Sequence, residues 1–404
     1  MQPARRGGRQ VPSFVELKGL RLSRLRPESL EPGSLEQDGF FAEHGVRTDL
    51  AFEAHQVVRQ AGVEQVPGVS TETEEHGFGT ITRIHVEDEA GAAVIGKAKG
   101  RYITIQAPGL RRKDRAQERQ VSEALAKELE SLLRAWGIGP EQLVLVVGLG
   151  NWNATPDNVG PLTVSKLLVT RHLYEYRALE EEVLGRMRPV AALSPGVLGL
   201  TGIETAEIVH AVVEKVRPAA VLCVDALASM SVERLGTTLQ LSDAGIRPGS
   251  GVGNTRRSLS YETLGVPVFA LGVPTVIYAT TIVSEAVDAL WERVTQPAAA
   301  FGPPGPAPGS GALLDPSRIV VTAKDPAPAA SAPAAAPGTA SLPRLDPHSR
   351  RQLIQEVLGP SMGSLVVTPK EIDVLVDTLS DVLADGLNEA LHPGISAAEA
   401  AAIR

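Results

Sequence analysis

Four short apolar runs in the middle of the sequence restrict the fold more than any other feature. Each run is nearly continuous in hydrophobic residues, which is typical of strands buried on both faces of a parallel sheet. Helix-like segments separate the runs, and this alternation predicts a layered α/β domain, with a mostly parallel sheet and helices on both faces. The runs are LVLVVGLG (143–150), PVAALSPG (189–196), AAVLCVDA (219–226) and PVFALGVP (267–274).

Smaller elements flank this core. An alternation of apolar and polar residues predicts a small N-terminal strand region, and amphipathic patterns predict one helix before the core and two near the C-terminus. In the last helix Thr368 is the expected N-cap, with Pro369 at the first helical position and Glu371 completing a capping box. The strands are expected at 80–88 and 100–108, and the helices at 114–138, 350–359 and 368–392.

Two segments differ from the rest in composition. Residues 1–45 lack hydrophobic periodicity and are rich in Arg, Gly, Pro and Glu, which indicates a disordered or removable leader. Residues 296–345 are dominated by Pro, Ala, Gly and Ser, which indicates a linker or disordered insertion. The island SRIVVTAKD (317–325) interrupts this linker and is a candidate to pair with the core. Residues 346–404 then form a C-terminal helical segment that packs on the core.

Charge and cysteine content exclude several classes of protein. The 404 residues carry a net charge of −8 and therefore lack the basic excess of most nucleic-acid-binding proteins. The single cysteine, Cys223, rules out a disulfide framework and favours a reducing compartment. No apolar run is long enough to span a membrane. The basic N-terminus lacks the apolar block of a secretory signal. The remaining interpretations of this segment are a flexible tail and a transit peptide.

The loop that follows the first apolar run begins like a dinucleotide-binding fingerprint. In VVGLGNWNATPDNVGP (146–161), Gly148 and Gly150 fit that pattern, but Asn153 stands at its third glycine position. The chain also lacks a P-loop, and a second glycine-rich loop at 245–257 does not lie between a clear strand and a helix start. Both loops are therefore expected to let the backbone approach another group closely.

Two aspartates occupy better positions for chemistry. Asp157 lies in the loop after the first run, and Asp225 ends the strand VLCVD. In open α/β sheets the ligand crevice lies outside the carboxyl ends of the strands, so the two carboxylates are expected to converge there. One of two close carboxylates retains its proton, so one can act as general base on water while the other donates a proton. An aspartate at this place also serves as a helix cap or a loop staple.

Other catalytic arrangements are weaker in this sequence. Cys223 has no histidine near it in sequence and reads as a buried, inert thiol, while Ser194 lacks the G-x-S-x-G elbow of serine hydrolases. The eight histidines show no metal-binding spacing, so neither a metal nor another cofactor is expected. His172 falls on a predicted helix face, where a supporting or core role is more common than ligation.

Several long motifs follow one another along the chain. They are GVRTDLAFEA, VVGLGNWNATPDNVGPLTV, LLVTRHL, SPGVLGLTGIET, DALAS, SDAGIRPGSGVGN, LGVPVFALGVPT, RRQLIQEVL and VVTPKEIDVLVD…LADGLNEALH. In this order they resemble the germination protease (spore protease) family of spore-forming bacteria. The resemblance covers residues 45–295 and 348–393.

The resemblance implies an activity and a site. Members of this family degrade the small acid-soluble proteins that coat spore DNA, are classed as atypical aspartic endopeptidases and form homotetramers. The two aspartates proposed as catalytic in the family correspond to Asp157, in TPD, and Asp225, in VDALAS. The family fold resembles that of hydrogenase-maturation endopeptidases. The expected location is the cytoplasm of the forespore and the spore core, with no direct contact to nucleic acid or membrane.

The family is also made as a zymogen that removes its own leader. The cut corresponds to the bond between Asp49 and Leu50 in VRTDLA, so residues 1–49 are expected to be the leader and 50–295 the peptidase core. The leader is hypothesised to cover the crevice until it is removed. After DALA the family often has Ala-Arg, whereas Ser229 and Met230 stand here.

Seven further residues are candidates for supporting roles, although purely structural roles are as common for most of them. Asn151 and Asn153 are expected to bond the aspartate pair or the substrate backbone. Glu204 and His172 are candidates to support the pair from behind. The residues expected to line the second glycine-rich loop and hold the peptide are Asp243, Asn254 and Arg256.

Two alternatives to an aspartic endopeptidase stay open. The first is a metal-dependent peptidase, because the related hydrogenase-maturation fold places carboxylates and a histidine around a metal. The second is a non-catalytic protein that binds spore proteins in an inert crevice.

Overall fold

The computed structural model describes residues 48–60, 66–176, 180–247, 257–295, 347–363, 365–395 and 399. Most of the leader, the 296–345 linker with its island, and Asn254 and Arg256 lie outside these ranges. The chain divides into two compact units, Met1–Val276 with Thr368–Arg404 and Ile277–Val367.

The strands form one sheet, in the order β1-β2-β3-β7-β8-β6-β4-β5, and β9 pairs with the end of β8. The four apolar runs form β4, β5, β6 and β8, and the two alternating segments form β2 and β3, as predicted. The strands are β1 (Val69–His76), β2 (Gly79–Val86), β3 (Gly100–Gln106), β4 (Val144–Gly148), β5 (Val190–Leu193), β6 (Ala220–Ser229), β7 (Thr238–Ser242), β8 (Val268–Tyr278) and β9 (Val366–Val367).

The expectation of a mostly parallel sheet is wrong, because the sheet is mixed. Strand β4 pairs in parallel with β5 and with β6. Strands β1, β2, β3, β7 and β8 pair antiparallel in succession, and β8 pairs antiparallel with β9. Strand β8, one of the four apolar runs, is largely buried although it pairs antiparallel with β7 and with β9. A continuous apolar pattern therefore reports burial on both faces and does not report strand direction.

Helices connect and flank these strands. They are α1 (Ala51–Gln60), α2 (Glu89–Ile95), α3 (Arg115–Ala135), α4 (Val159–Ser165), α5 (Arg171–Glu175), α6 (Glu181–Leu184), α7 (Leu198–Thr201), α8 (Thr205–Val216), α9 (Tyr261–Leu264), α10 (Ala279–Thr295), α11 (Pro347–Met362) and α12 (Ile372–Leu391). Three 3₁₀ turns lie at Pro108–Arg112, Thr155–Asp157 and Val232–Arg234. Helices α3, α11 and α12 confirm the three predicted outside the core, but α12 begins four residues later than predicted.

The two faces of the sheet are covered by different helices. In β4, Val144 and Val146 pack with α3 and α12, whereas Leu145 and Val147 pack with α8. This alternation follows from the two-residue period of a strand, which sends successive side chains to opposite faces. Helices therefore cover both faces of the parallel strands, as the sequence predicts.

Helix α3 shows why the strongest sequence pattern is reliable. The Asp114 carboxylate caps its N-terminus by accepting from the Ala116 and Gln117 N–H groups, at 3.0 and 3.4 Å. Its apolar face is buried at Val121, Leu125 and Leu129. Because both the cap and the apolar stripe are local in sequence, they can be read without the fold.

The cap proposed for the C-terminal helix is a correction. Helix α12 begins at Ile372, with Glu371 at the N-cap position. The Thr368 hydroxyl instead donates to the Thr275 carbonyl at 2.9 Å. The hydroxyl that the sequence assigned to a local capping box therefore bonds a residue 93 positions away.

The smaller unit holds α10, α11 and the pairing of β9 with the end of β8. Ile277 and Tyr278 pair with Val367 and Val366. Arg350 of α11 binds the Asp288 carboxylate of α10 at 2.6 Å and lies over the Trp291 ring. An ion pair and a cation–π contact therefore join the two helices of this unit.

Candidate active site

The loop that carries Asp157 folds back tightly on itself. The Asn151 N–H donates to the Asp157 carbonyl at 3.1 Å, and the Asp157 N–H donates to the Ala154 carbonyl at 2.8 Å. Gly150 has a φ of +119°, and a Cβ there would lie 1.9 Å from the Asp157 carbonyl oxygen. The loop therefore requires glycine at position 150, which explains the resemblance to a phosphate-binding loop without a phosphate.

The same loop docks against the middle of β6. The Leu149 N–H donates to the Val224 carbonyl at 2.8 Å. Gly160 lies so close to this strand that a Cβ would be 2.4 Å from the Val224 oxygen. On the other side, the Thr275 hydroxyl of β8 donates to the Pro156 carbonyl at 2.7 Å. The turn with Asp157 is therefore held beyond the carboxyl end of β4, between β6 and β8.

Asp225 follows Val224 directly and is buried. One of its carboxylate oxygens accepts from the Ala226 N–H at 2.9 Å. Burial, and secondly the charge of Asp225, raise the pKa of the Cys223 thiol. Cys223 is therefore a buried, protonated thiol. Asp157 lies beyond the carboxyl end of β4, but Asp225 lies inside β6, which continues to Ser229 after its last pair with β4 at Val224. The expectation that Asp225 ends its strand is therefore wrong, and the catalytic roles of both aspartates stay predictions.

Three buried polar atoms surround the ends of β4 and β5. Within the described ranges, Asn158 Oδ1, Ser194 Oγ and Glu204 Oε1 have no hydrogen-bond partner. Asn158 follows Asp157, Ser194 follows β5, and Glu204 precedes α8. Unpaired buried polar atoms are costly, so these three are candidates to bond a substrate. The sequence argument missed Asn158, although its position next to Asp157 was a usable signal.

The two predicted asparagines form a turn at the start of the loop, and their bonding to the aspartate pair or the substrate stays a prediction. The Asn151 side-chain oxygen accepts from the Asn153 N–H at 2.9 Å. The Asn153 side chain is exposed. This turn fixes the start of the loop, and the backbone N–H of Asn151 holds the Asp157 carbonyl.

His172 and Asp243 are not brought to this place. His172 is exposed on α5, and α5 follows Thr170, whose N–H donates to Val190 at the amino end of β5. It therefore lies at the opposite end of the parallel strands from Asp157. The Asp243 carboxylate binds Arg101 and the Trp136 indole N–H, at 2.7 and 3.0 Å. The other oxygen accepts from the Arg101 backbone N–H at 2.6 Å, so the Asp243 carboxylate links β3 to the segment after β7. Asn254 and Arg256 lie outside the described residues.

The expected cleavage junction lies along the strand that carries Asp225. The Asp49 N–H donates to the Ala228 carbonyl at 3.2 Å, and the Ala228 N–H donates to the Asp49 carboxylate at 2.9 Å. Leu50 is fully buried. Ser229, the departure from the family pattern, donates from its hydroxyl to the buried Glu53 carboxylate at 2.8 Å. The segment before α1 is therefore bonded beside the end of β6.

Two general searches of the described residues gave negative results. Among these residues, no group of three or more His, Cys, Asp or Glu side chains is arranged to hold a metal ion. The helices in the same ranges are all too short or too polar to cross a membrane.

Comparison with known proteins gives one consistent result. A family model described as germination protease matches residues 47–403. The germination protease of Caldanaerobacter subterraneus subsp. tengcongensis is 42% identical over 357 residues, which cover 88% of this chain and 97% of that protein. That of Halalkalibacterium halodurans is 40% identical over 362 residues, 88% of this chain and 95% of the relative. That of Bacillus cereus strain G9842 is 39% identical over 343 residues, with 84% and 91% covered.

Proposed function

The chain belongs to the germination protease family, and from this premise we propose that it is an aspartic endopeptidase that degrades small acid-soluble spore proteins. Membership supports a protease that acts in germination. The observation that supports the aspartic mechanism is the docking of the Asp157 loop on Val224, next to Asp225. In this proposal the two carboxyl groups, one from the turn after β4 and one from β6, face one crevice.

The proposed reaction uses water as the nucleophile. One carboxylate of the Asp157–Asp225 pair removes a proton from water, which adds to the scissile carbonyl carbon. The other carboxyl group, which keeps its proton because two like charges repel, donates to the carbonyl oxygen. Collapse of the tetrahedral species breaks the C–N bond, and the amine nitrogen leaves with a proton. The two groups titrate as a pair, so the proton is not assigned to either residue.

The proposed substrate and location follow from the family. Small acid-soluble proteins that coat spore DNA are the substrate class, and the spore core is the proposed compartment. We also propose that the protein is a homotetramer, which light scattering after size exclusion tests directly. A monomeric mass at working concentrations would contradict it.

We further propose that the protein is a zymogen that cleaves its own Asp49–Leu50 bond. The junction is seated in the folded protein, beside the end of β6, and this supports the proposal. Residues 1–49 would then be the leader, 50–295 the peptidase core, 296–345 the linker and 346–404 the C-terminal segment.

The intact mass of the full-length protein, followed over time at mildly acidic pH, tests these proposals. We expect the wild type to shorten to a chain that begins at Leu50, and Asp157→Asn and Asp225→Asn to stay whole. The control is Asp373→Asn, because Asp373 is exposed on α12 and the substitution removes one charge in the same way. Added small acid-soluble protein should be digested by the wild type and the control only. Trimming or digestion by either of the other two variants would contradict the aspartate pair.

Two alternatives have their own outcomes in this experiment. Complete loss of wild-type cleavage in EDTA, with recovery on adding a divalent metal, would favour a metal-dependent peptidase. The hydrogenase-maturation fold, which the family is proposed to resemble, motivates that arm. Binding of the spore protein without any turnover would favour a non-catalytic binding protein.

A further inference from the structure

The carbonyl group of Asp49 accepts hydrogen bonds from two side chains that come from different elements. The Lys97 ammonium, just after α2, lies 3.0 Å from the Asp49 oxygen and 3.0 Å from the Thr48 oxygen. The Gln240 amide nitrogen, in β7, lies 3.1 Å from the same Asp49 oxygen. This carbonyl belongs to the Asp49–Leu50 peptide bond. Two donors therefore converge on the one oxygen that would gain charge if that bond were hydrolysed.

Gln240 holds the chain on both sides of the bond. Its amide oxygen accepts from the Ala51 N–H at 2.6 Å, while its nitrogen donates to Asp49. The backbone and carboxylate of Asp49 are fixed in addition by Ala228. Because the groups before and after the bond are tied to different strands, the bond is presented in one geometry.

The buried Glu53 carboxylate does not rely on the Lys97 ammonium for its bonding partners. Glu53 already binds Arg234 at 2.7 Å, the Ser229 hydroxyl at 2.8 Å and the Met230 N–H at 2.8 Å. Burial lowers the pKa of Lys97, whereas the charges of Asp49 and Glu53 oppose that shift. A partly buried ammonium that donates to neutral carbonyl oxygens is costly to the fold. The same arrangement is favourable where negative charge develops on one of those carbonyl oxygens.

We propose that Lys97 and Gln240 are catalytic residues of self-cleavage, which bind the Asp49 carbonyl oxygen and stabilise the oxyanion that forms on it. The proposal rests on the self-processing proposed above. Water adds to the Asp49 carbonyl carbon, and the former carbonyl oxygen becomes the oxyanion held by the two side chains. The C–N bond to Leu50 then breaks, one proton from water goes to the Leu50 nitrogen, and Asp49 keeps the new hydroxyl oxygen as a carboxyl group.

The rate of self-cleavage in near-isosteric variants tests this role. We would follow the intact mass of the full-length Lys97→Met, Lys97→Arg and Gln240→Met proteins. The expected slowing for Lys97→Met is about 10²- to 10³-fold, as for loss of an oxyanion donor in other hydrolases. Gln240→Met should be slowed as well, and Lys97→Arg should recover part of the rate because it still donates from a cation. Lys99→Met is the matched control, since Lys99 is an exposed lysine paired with Glu89 at 2.7 Å.

Thermal unfolding of each variant separates a catalytic role from a structural one. Folded Lys97→Met and Gln240→Met proteins that trim as fast as the wild type would overturn the proposal. If Lys97→Met does not fold, the comparison of Gln240→Met and Lys97→Arg with wild type decides, and equal rates overturn the proposal. A wild type that stays whole would refute self-processing itself, and this outcome is distinct from the failure of the two side chains alone.

Discussion

At position 150 the backbone leaves no room for a side chain. We predict that Gly150→Ala displaces the Asp157 turn, because the new Cβ would meet the Asp157 carbonyl at 1.9 Å and the φ of +119° is unfavourable for alanine. A displacement of about 1 Å at a catalytic group costs on the order of 10²-fold in rate. The measurement is cleavage of a small acid-soluble protein.

Gly202 provides the matched control for this substitution. It also has a positive φ, +70°, but no atom lies within 4 Å of a Cβ built there. Gly202→Ala should therefore lose only about 1 kcal/mol of stability, from the left-handed backbone, and keep its activity. Equal activity in the two variants would show that the tight loop does not position Asp157.

A buried histidine sets one part of the pH dependence of stability. His392 is 1% exposed, and its Nδ1 accepts from the Arg188 N–H at 3.2 Å, so its other nitrogen donates to the Leu168 carbonyl. Burial is the main cause that lowers the pKa of His392 from 6.5 to about 4. Between pH 6.5 and about 4 the His392 imidazole is protonated in the unfolded chain and neutral in the folded protein. This contribution is therefore full above pH 6.5 and is lost as the pH falls to about 4.

The expected loss from this residue is on the order of 3 kcal/mol. Urea unfolding at pH 7 and pH 4 should show a smaller pH effect in His392→Gln, which can still donate to Leu168. His210→Gln, at an exposed histidine of α8, should behave like the wild type. An unchanged pH effect in His392→Gln would place the acid sensitivity elsewhere.

At the scale of elements, the packing of α12 on α3 is the contact that the core depends on. The Ser122 hydroxyl of α3 donates to the Val382 carbonyl at 2.9 Å, and a Cβ on Gly386 would lie 2.9 Å from the Ser122 carbonyl. Leu383 is fully buried between them and the sheet. The C-terminal helix is therefore part of the main core.

We predict that Leu383→Ala lowers the free energy of unfolding by about 2–5 kcal/mol, because it removes buried methyl groups and leaves a cavity. Val374→Ala is the control on the same helix, since Val374 is exposed and its truncation should cost less than about 0.5 kcal/mol. Urea unfolding followed by circular dichroism measures both. A loss of less than about 0.5 kcal/mol in the free energy of unfolding of Leu383→Ala would mean that the packing of α12 does not stabilise the core.

At the scale of the whole molecule, the same contact predicts how the chain behaves when it is nicked. If residues 296–345 form the linker that their composition predicts, brief treatment with a non-specific protease should cut there first. The long N-terminal fragment, which contains α3, and the short C-terminal fragment, which contains α12, should still elute together on size exclusion. The reason is that α12 packs on α3. They should separate in denaturant. A C-terminal fragment that elutes alone without denaturant would contradict this role of α12.

The sequence was sufficient for features that depend on neighbouring residues. The apolar runs predicted β4, β6 and β8, because burial on both faces leaves a continuous hydrophobic pattern. They also predicted β5, although this edge strand is only partly buried. The cap and stripe of α3 were readable for the same local reason. The rule that ligands bind outside the carboxyl ends of strands selected Asp157, which lies beyond the end of β4, whereas Asp225 lies inside the longer strand β6.

Only the tertiary structure decided the contacts between distant residues. The direction of β8 could not be read from its apolar run, because the burial pattern is the same in a parallel or an antiparallel pair. The Thr368 hydroxyl left its predicted cap for a carbonyl 93 positions away. Lys97 and Gln240 reach Asp49 from 48 and 191 positions along the chain. Local periodicity encodes helices, strands and burial, whereas the partner of a polar group depends on which segments the fold brings together.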